Sequence, residues 1–378
     1  MTSYKLLIIG DLCDNHLIRY IKNLKNQNPS ASIDVLSTMK DYEYSKELCT
    51  CINNIFWFTP KTINIKYIRV FDHVRQYNNL LRQISQNNHY NVVNIHYPKV
   101  EYCLSVKYFK QLADKILLSP WGSDVYRVGK RKLAILKYLY RKADFVCASD
   151  TRFGKDLCEI FKLLPIQKVN LQFGSETIDY ISEYKNITSV SEARKKLFLE
   201  GDFFITCGYN ASPAQNHKAI IDGVAKAKLY GQIVLLFPMT YPKNVAYVDE
   251  IKSYVEKRGL KAYFFTDYLD LPTLFNLRQS TDMFIHVQNT DANAASVQEY
   301  LLLGKKVLNG EWLRYDNMEI DGDIPYTLVQ DLNSISNAIE TALADNKEIS
   351  ANLYEYIKSS GWKNWIIKWD TFFSNATF

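Results

Sequence analysis

The chain has 378 residues, of which 47% are apolar and 23% are charged. This apolar content is enough for two ordinary hydrophobic cores and excludes a disordered protein. The seven cysteines show no C-x-x-C pair and no spacing typical of a zinc site or a disulfide framework, and no apolar run approaches the roughly 18 residues that span a bilayer.

The first half of the chain alternates short apolar runs with helix-like stretches. Residues 5–10 (KLLIIG) predict a strand that ends in a glycine, and a loop and an amphipathic helix follow. Further strands are predicted at residues 32–38, 63–70, 92–98, 115–122, 145–149 and 168–174. This alternation predicts a mainly parallel sheet with right-handed crossovers. A G-x-G-x-x-G fingerprint is missing, so we expect no nicotinamide or flavin cofactor.

A polar stretch at residues 174–200 predicts a linker that leads into a helix. Beyond it the alternation resumes, with strands predicted at 203–210, 232–239, 262–267 and 283–288 and helices near 217–230, 245–258 and 271–279. The sequence therefore predicts an α/β protein with two doubly wound domains. In such sheets ligands bind beyond the carboxyl ends of the strands.

Charge is concentrated in the first half. Residues 1–190 hold 27 Lys and Arg against 17 Asp and Glu, a net charge of +10, whereas residues 191–378 hold 19 against 23, a net charge of −4. The densest cluster is the helix-like stretch 125–144, where cations alternate with Leu, Ile and Tyr. A basic amphipathic helix suits an anionic membrane surface or a pyrophosphate-bearing lipid, and a solvated face is the ordinary alternative. We expect no nucleic-acid partner, because no nucleic-acid-binding motif accompanies the charge.

The most informative stretch is residues 289–310 (NTDANAASVQEYLLLGKKVLNG), which follows the apolar run 283–288. It predicts a short loop, a helix that ends near Gly304, and a further strand. A helix N-terminus after a strand leaves backbone N–H groups unpaired and is a phosphate-binding site. Asp291 and Glu299 bracket that terminus with seven residues between them.

This arrangement resembles the E-x7-E element of retaining GT-B glycosyltransferases of the family 4 type. The resemblance implies that Asp291 orients the donor sugar, that Glu299 holds the ribose, and that the backbone around Ala295 and Ser296 binds the phosphates. Aspartate stands here in place of the first glutamate, so its reach is shorter. The ordinary alternatives are an exposed helix glutamate at Glu299 and a turn or N-cap residue at Asp291.

The stretch SPWGSDVYR, residues 119–127, is similar to the family loop that lies near the transferred sugar. The resemblance makes Asp124 a catalytic candidate and His96, Trp121 and Ser123 acceptor-binding candidates. Gly10, at the end of the first strand, is a donor-binding candidate. The alternative is that Asp124 caps the following helix and Trp121 belongs to the core.

The stretch GYNASPAQNHKAII, residues 208–221, departs from the family pattern, because Tyr209 stands where many members have arginine. It resembles a variant found in bacterial surface polysaccharide transferases. On that basis Asn210 is a donor-binding candidate, and His217 and Lys218 are catalytic candidates that donate to phosphate. An N-cap with an exposed histidine and lysine is the alternative. Asp267 is a candidate for contact with the nucleobase.

The resemblance implies the GT-B architecture, two Rossmann-like doubly wound domains that face each other across a cleft. We expect an N-terminal acceptor-binding domain at residues 1–180 and a nucleotide-sugar-binding domain at 190–358. The C-terminal helix, residues 359–378, is expected to pack back on the first domain. EWLRYDN, residues 311–317, is again similar to polysaccharide transferases.

The predicted function is transfer of a sugar from a nucleoside-diphosphate sugar to a glycan or lipid-linked acceptor, with retention and without a metal. No D-x-D followed by a suitable histidine and no histidine pair at ligand spacing is found. The start of the chain lacks the apolar core of a signal peptide, so we expect a cytoplasmic protein, peripheral on the inner face of the membrane. Two alternatives stay open: a GT-B nucleotide-sugar epimerase, and a non-catalytic GT-B scaffold or glycan-binding subunit.

Overall fold

A computed structural model describes residues 3–38, 50–60, 66–345 and 348–375 of the chain. The chain forms two compact units, one from residues 1–174 together with 362–378 and the other from residues 175–361. Residues 175–180, which the sequence prediction assigned to the first domain, therefore lie in the second unit.

The first unit is built on a parallel sheet in the order β3-β2-β1-β4-β5-β6-β7. β1 is central and pairs with β2 and β4, with Leu6 opposite Ile33 and Val92. Its side chains are buried on both faces, as expected for a parallel sheet covered by helices. The strands are β1 Lys5–Ile9, β2 Ser32–Ser37, β3 Asn54–Trp57, β4 Tyr90–His96, β5 Ala113–Ser119, β6 Phe145–Cys147 and β7 Lys168–Val169.

Helices cover this sheet: α1 Asn15–Gln27, α2 Lys66–Asn87, α3 Val106–Leu112, α4 Ser123–Tyr126, α5 Lys130–Lys142 and α6 Arg152–Phe161. The strand predicted at residues 63–70 is wrong where it can be compared, because α2 begins at Lys66; residues 63–65 lie outside the described residues. Farther along α2 the buried residues recur at helical spacing, at Val74, Tyr77, Leu81 and Ile84. That longer pattern favours a helix over a strand.

The second unit has a parallel sheet in the order β10-β9-β8-β11-β12-β13. The central strands β8 and β11 pair directly, with Met283 opposite Ile205. The strands are β8 Phe203–Cys207, β9 Ile233–Pro238, β10 Lys261–Phe265, β11 Met283–His286, β12 Lys306–Gly310 and β13 Thr327–Val329. Each sheet thus has the strand order of a Rossmann-like doubly wound unit, with the first strand near the centre.

Helices of the second unit are α7 Glu176–Tyr184, α8 Val190–Lys196, α9 His217–Ala225, α10 Val245–Lys257, α11 Leu271–Ser280, α12 Ala295–Leu302, α13 Ile335–Ala344 and α14 Ala351–Lys358. The stretch predicted as a linker is thus largely helical. Ser189 and Glu192 form a capping box that begins α8, a signal the polar composition concealed. No helix within the described ranges combines the length and the apolar content needed to span a membrane.

The last helix, α15 Trp362–Asn375, packs against α1 in the first unit. Trp369 is fully buried, and its ring lies edge-on to Tyr20 with 4.9 Å between the ring centroids. Its indole N–H donates to the Gln172 carbonyl at 2.8 Å. The aromatic residues at helical spacing in this segment therefore form core, with the one polar atom of Trp369 satisfied.

Candidate active site

Two loops meet at the carboxyl edge of the second sheet, one after β8 and one after β11. The Gln215 side-chain amide donates to the Gln288 side chain at 2.8 Å, while its oxygen accepts from the Tyr209 backbone at 3.3 Å. Asn216 donates to the Val287 carbonyl at 2.7 Å, and Asn289 N–H donates to the Ala214 carbonyl at 3.0 Å. These amide groups fix the loop that carries Asp291 against the loop that follows β8.

Asp291 is held by aromatic neighbours in this loop. The Tyr315 hydroxyl donates to its carboxylate at 2.7 Å, and His286 Nε2 lies 3.8 Å from the same oxygen. Tyr209 stacks on His286 with 5.9 Å between the ring centroids. Burial raises the pKa of Tyr315 well above its usual value, and the negative charge of Asp291 adds to that effect. Tyr315 therefore stays a hydrogen-bond donor and orients the Asp291 carboxylate.

The helix that the sequence predicts to end near Gly304 is observed as α12, Ala295–Leu302. The preceding residue, Ala294, makes no side-chain capping hydrogen bond, so the first N–H groups of α12 lack a side-chain cap. Ser296, in the first turn, is buried and accepts from the Arg278 guanidinium at 3.3 Å. This N-terminus has the geometry and partial positive charge of an anion-binding site.

Glu299, about one turn into α12, is buried and belongs to an ion pair. Arg278 Nε donates to its carboxylate at 3.0 Å, and the other carboxylate oxygen accepts from the Ser175 hydroxyl at 3.1 Å. Arg278 also donates to the Tyr300 hydroxyl at 2.9 Å. Although burial opposes its charge, Tyr300 and Glu299 raise the pKa of Arg278 above its usual value. The exposed-glutamate alternative for Glu299 is wrong.

Tyr241 connects these groups. Its side chain is 53% exposed and lies within electrostatic reach of Arg278, Glu299 and Asp291. Asn210 lies beside it, with the Asn210 side chain accepting from the Ser212 backbone at 2.9 Å. Asp291 and Glu299 thus both lie within electrostatic reach of Tyr241, while Ala295 and Ser296 begin the helix between the two carboxylates.

His217 begins α9 but does not reach the surface. Its side chain is 0% exposed, its Nδ1 pairs with the Tyr247 hydroxyl at 3.0 Å, and its Nε2 lies near the Cys207 carbonyl without a hydrogen bond. Burial lowers the pKa of His217 to about 4, so it is neutral near pH 7. The prediction that His217 donates directly to phosphate needs correction, because the imidazole packs beneath Gly208 and can only position that loop.

This burial gives a pH-dependent stability. The folded pKa of His217, about 4, lies below the value of about 6.5 expected in the unfolded chain. Between these values the unfolded chain binds more protons, so stability falls as the pH decreases. Between pH 7.5 and pH 5, the free energy of unfolding of the parent chain should fall by roughly 2 kcal/mol more than that of His217→Gln.

Urea unfolding at both pH values measures this difference. His89→Gln is the matched control, because the His89 side chain is 60% exposed. Equal pH dependence in the parent chain and His217→Gln would contradict the assigned burial of His217.

Lys218 and Asp267 lie farther out. Lys218 forms an ion pair with Glu250 on α10 and lies over the Tyr254 ring, so its charge is engaged on the outer face of α9 and is not free for a phosphate. Asp267 is exposed on the loop after β10, which is an edge strand. Contact of Asp267 with a nucleobase stays a prediction, whereas the phosphate role of Lys218 is not supported.

In the first unit, Gly10 and His96 lie at the carboxyl edge of the sheet. A Cβ at Gly10 would lie 2.8 Å from the end of the Leu17 side chain and 3.4 Å from the Cβ of His96, so a larger residue would require Leu17 to move. His96 is 1% exposed among the rings of Tyr20, Trp121 and Phe173. Burial lowers the pKa of His96 to about 3. His96 is therefore beneath the surface, and the prediction of a direct acceptor contact needs correction.

Trp121, Ser123 and Asp124 follow β5. The Trp121 ring is partly exposed and lies edge-on to Tyr97 at 6.0 Å, while Ser123 is partly exposed beside the Tyr97 hydroxyl at 3.5 Å. Asp124 is 2% exposed and accepts from the Trp121 backbone at 2.9 Å. Burial raises the pKa of Asp124 to about 6, against the effect of the backbone N–H groups. Asp124 thus stabilises its own loop, while Trp121 and Ser123 remain acceptor-binding candidates.

Sequence reasoning assigned no role to Arg278, Tyr241 or Tyr315, although Tyr315 lies in the stretch 311–317 that resembles polysaccharide transferases. Arg278 gives a further local signal, because it lies among core residues of α11, where Phe275 and Leu277 are buried. A charged residue on the buried side of a helix indicates a paired partner. Tyr241 and Tyr315 reach the site from loops whose positions depend on the whole sheet.

Within the described part of the chain, no group of three or more His, Cys, Asp or Glu side chains is placed to hold a metal ion. The site in the second unit instead offers two acidic side chains for hydroxyl groups and an uncapped helix start for an anion. A sugar nucleotide has this combination of hydroxyl groups and phosphates.

Residues 5–150 match a family described as glycosyl transferase 4-like. No curated protein sequence matches the chain. Among solved structures, sucrose-phosphate synthase from Thermosynechococcus elongatus is 15% identical, with 98% of each chain covered and a TM-score of 0.71. A glycosyltransferase from Rickettsia africae is 13% identical, with 100% of this chain and 99% of that chain covered and a TM-score of 0.73.

HepE from Anabaena, solved in complex with UDP and glucose, is 14% identical, with 98% of this chain and 100% of that chain covered and a TM-score of 0.71. At these identities the likeness concerns the fold, and it extends over both units. The predicted GT-B fold, with two Rossmann-like domains, is confirmed.

Proposed function

We propose that the chain is a GT4-like glycosyltransferase that transfers a sugar from a nucleoside-diphosphate sugar to a glycan or lipid-linked acceptor; the family match over residues 5–150 and the GT-B fold support this. The solved relative HepE is described in complexes with UDP-glucose and with UDP, which supports a nucleotide-sugar donor here. Surface polysaccharide or glycoconjugate synthesis is the process to which such a transfer belongs.

One observation carries this proposal: two acidic side chains bracket an uncapped helix start in the second unit. Asp291, oriented by Tyr315, is in place to accept from donor sugar hydroxyls. Glu299 has each oxygen in one hydrogen bond, which leaves further acceptor capacity for ribose hydroxyls. The N–H groups at Ala295 and Ser296 bind the diphosphate.

The leaving diphosphate is stabilised by fixed dipoles in this mechanism. The N-terminus of α12 supplies N–H donors and positive potential to the charge that develops as the sugar–phosphate bond breaks. Arg278 is paired with Glu299 and Lys218 with Glu250, so neither is a free cation for this role. Attack and departure on the same face of the sugar give retention without a carboxylate nucleophile, and no metal is required.

The first unit binds the acceptor in this proposal. The partly exposed Trp121 and Tyr97, which is 36% exposed, offer ring faces for a sugar, and Ser123 offers a hydroxyl beside them. A lipid-linked acceptor would place the enzyme at the inner face of the cytoplasmic membrane.

The test is an assay of the purified chain with UDP-, GDP- and dTDP-sugars, with and without oligosaccharide and lipid-linked acceptors. We expect transfer from one donor class, unchanged by EDTA, with the anomeric configuration of the donor kept in the product. NMR of the product measures the configuration, and release of nucleoside diphosphate measures the rate.

The other outcomes separate the alternatives. Interconversion of the nucleotide-sugar without an acceptor would establish an epimerase. A chain that neither turns over any donor nor gains thermal stability from nucleoside diphosphates would be a non-catalytic scaffold. Loss of transfer with EDTA that added Mg²⁺ restores would overturn metal independence.

A further inference from the structure

The helix α5 of the first unit is rich in cations. Its 13 residues, Lys130–Lys142, include six Lys and Arg and no Asp or Glu. Leu136, Leu139 and Tyr140 anchor the opposite face in the core. Cations at both ends of the helix are exposed: Lys130, Arg131, Lys132, Arg141 and Lys142. None of the six cations forms an ion pair with a residue that the structure describes.

Exposed apolar side chains lie among these cations. Ile135 is 50% exposed and Tyr138 is 51% exposed, three residues apart on the outer face of α5. The Lys142 ammonium lies 5.9 Å from the centroid of the Tyr138 ring. Large apolar residues on the solvent side of a helix, flanked by cations, form the surface pattern of an interfacial helix.

The neighbouring 3-10 helix, Val100–Leu104, extends the surface. Cys103 Sγ donates to the Ile135 carbonyl at 3.4 Å, which places this helix directly against α5. Leu104, its last residue, is 58% exposed. Glu101 is an exposed acidic side chain on the same 3-10 helix. The apolar surface therefore spans two elements, which sequence periodicity along α5 alone cannot reveal.

We propose that Leu104, Ile135 and Tyr138, with the cations of α5, form a docking surface for an anionic lipid bilayer. The commitment to lipid rests on charge complementarity. Unpaired Lys and Arg attract anionic headgroups, and the apolar side chains insert at the boundary with the acyl chains. This association needs neither donor binding nor catalysis, so it stands apart from the proposed transferase activity.

The experiment is co-sedimentation of the full chain with phosphatidylcholine vesicles that contain or lack phosphatidylglycerol. We expect binding only to the anionic vesicles, weakened by high salt. The triple variant Arg131→Gln, Lys132→Gln, Arg141→Gln should lower the partition coefficient on the order of a hundredfold, since each cation near the surface contributes roughly fivefold. Ile135→Ser with Tyr138→Ser should also release the chain from the vesicles.

Matched variants in the second unit control for net charge and for exposed apolar area. They are Lys195→Gln, Lys196→Gln and Lys257→Gln for the cations, and Phe198→Ser with Val245→Ser for the apolar pair. These controls should keep the parent binding. The proposal would be overturned if the control variants lost as much vesicle binding as the α5 variants. It would also be overturned if the parent chain bound only the vesicles that lack phosphatidylglycerol. Donor turnover with a water-soluble acceptor should be the same in every variant, so vesicle binding and activity are judged separately.

Discussion

Replacing Arg278 with methionine is expected to lower the free energy of unfolding by about 3–5 kcal/mol, because it leaves the buried Glu299 carboxylate unpaired. Arg278 is 4% exposed and donates to Glu299, Ser296 and Tyr300. Methionine fills much of the volume but restores none of these hydrogen bonds. Urea unfolding followed by circular dichroism measures the loss.

Two controls separate the charge effect from packing. The double variant Arg278→Met with Glu299→Gln removes the orphaned charge, and we expect it to recover a large part of the stability. Arg258→Met breaks an exposed pair with Asp222, and we expect a much smaller change. A loss for Arg278→Met no greater than that for Arg258→Met would show that the buried pair is not a major stabilising element.

Arg278 also ties stability to donor binding. It donates to both Glu299 and Ser296, which lie three residues apart on one face of the first turn of α12. Because Glu299 binds the ribose in the proposed mechanism, Arg278→Met should lose the thermal stabilisation that nucleoside diphosphates give, in addition to the decrease in its free energy of unfolding.

Replacing Asp291 with alanine is expected to lower kcat/KM by about 10- to 100-fold, because hydrogen bonds to a charged group contribute roughly 1.5–3 kcal/mol. The carboxylate is fixed by Tyr315 and lies in the loop that leads into α12. Since Asp291 contacts the sugar and not the nucleotide in the proposed mechanism, stabilisation by the free nucleoside diphosphate should persist. Steady-state kinetics and thermal shift measure the two effects.

Tyr315→Phe tests the orientation of Asp291. It removes the 2.7 Å hydrogen bond and leaves the ring, so we expect a smaller decrease in kcat/KM than for Asp291→Ala. Asp249→Asn, on an exposed turn of α10, is the control for loss of one negative charge. Full activity in Asp291→Ala would remove this residue from the donor site.

The alternation of strands and helices was predictable because parallel strands buried on both faces read as short apolar runs. Every predicted strand of the second half lies within two or three residues of an observed one. Errors occurred where local signals compete. The apolar residues of 63–70 fit both the two-residue period of a strand and the 3.6-residue period of a helix, and α2 begins at Lys66. The polar stretch after residue 174 holds two helices whose stability comes from caps and tertiary packing.

The sequence by itself determined the two α/β halves, the helix that ends near Gly304 and the acidic pair that brackets its start, because these follow from local composition and spacing. Only the tertiary structure decided which polar side chains face solvent. His217 and His96 were predicted to contact ligands at the surface, but both are buried. Lys218 forms an ion pair with Glu250. Glu299 accepts hydrogen bonds from Arg278 and Ser175, which are distant from it in sequence. Burial and ion pairing depend on segments that are far apart in the chain, so no local sequence pattern predicts them.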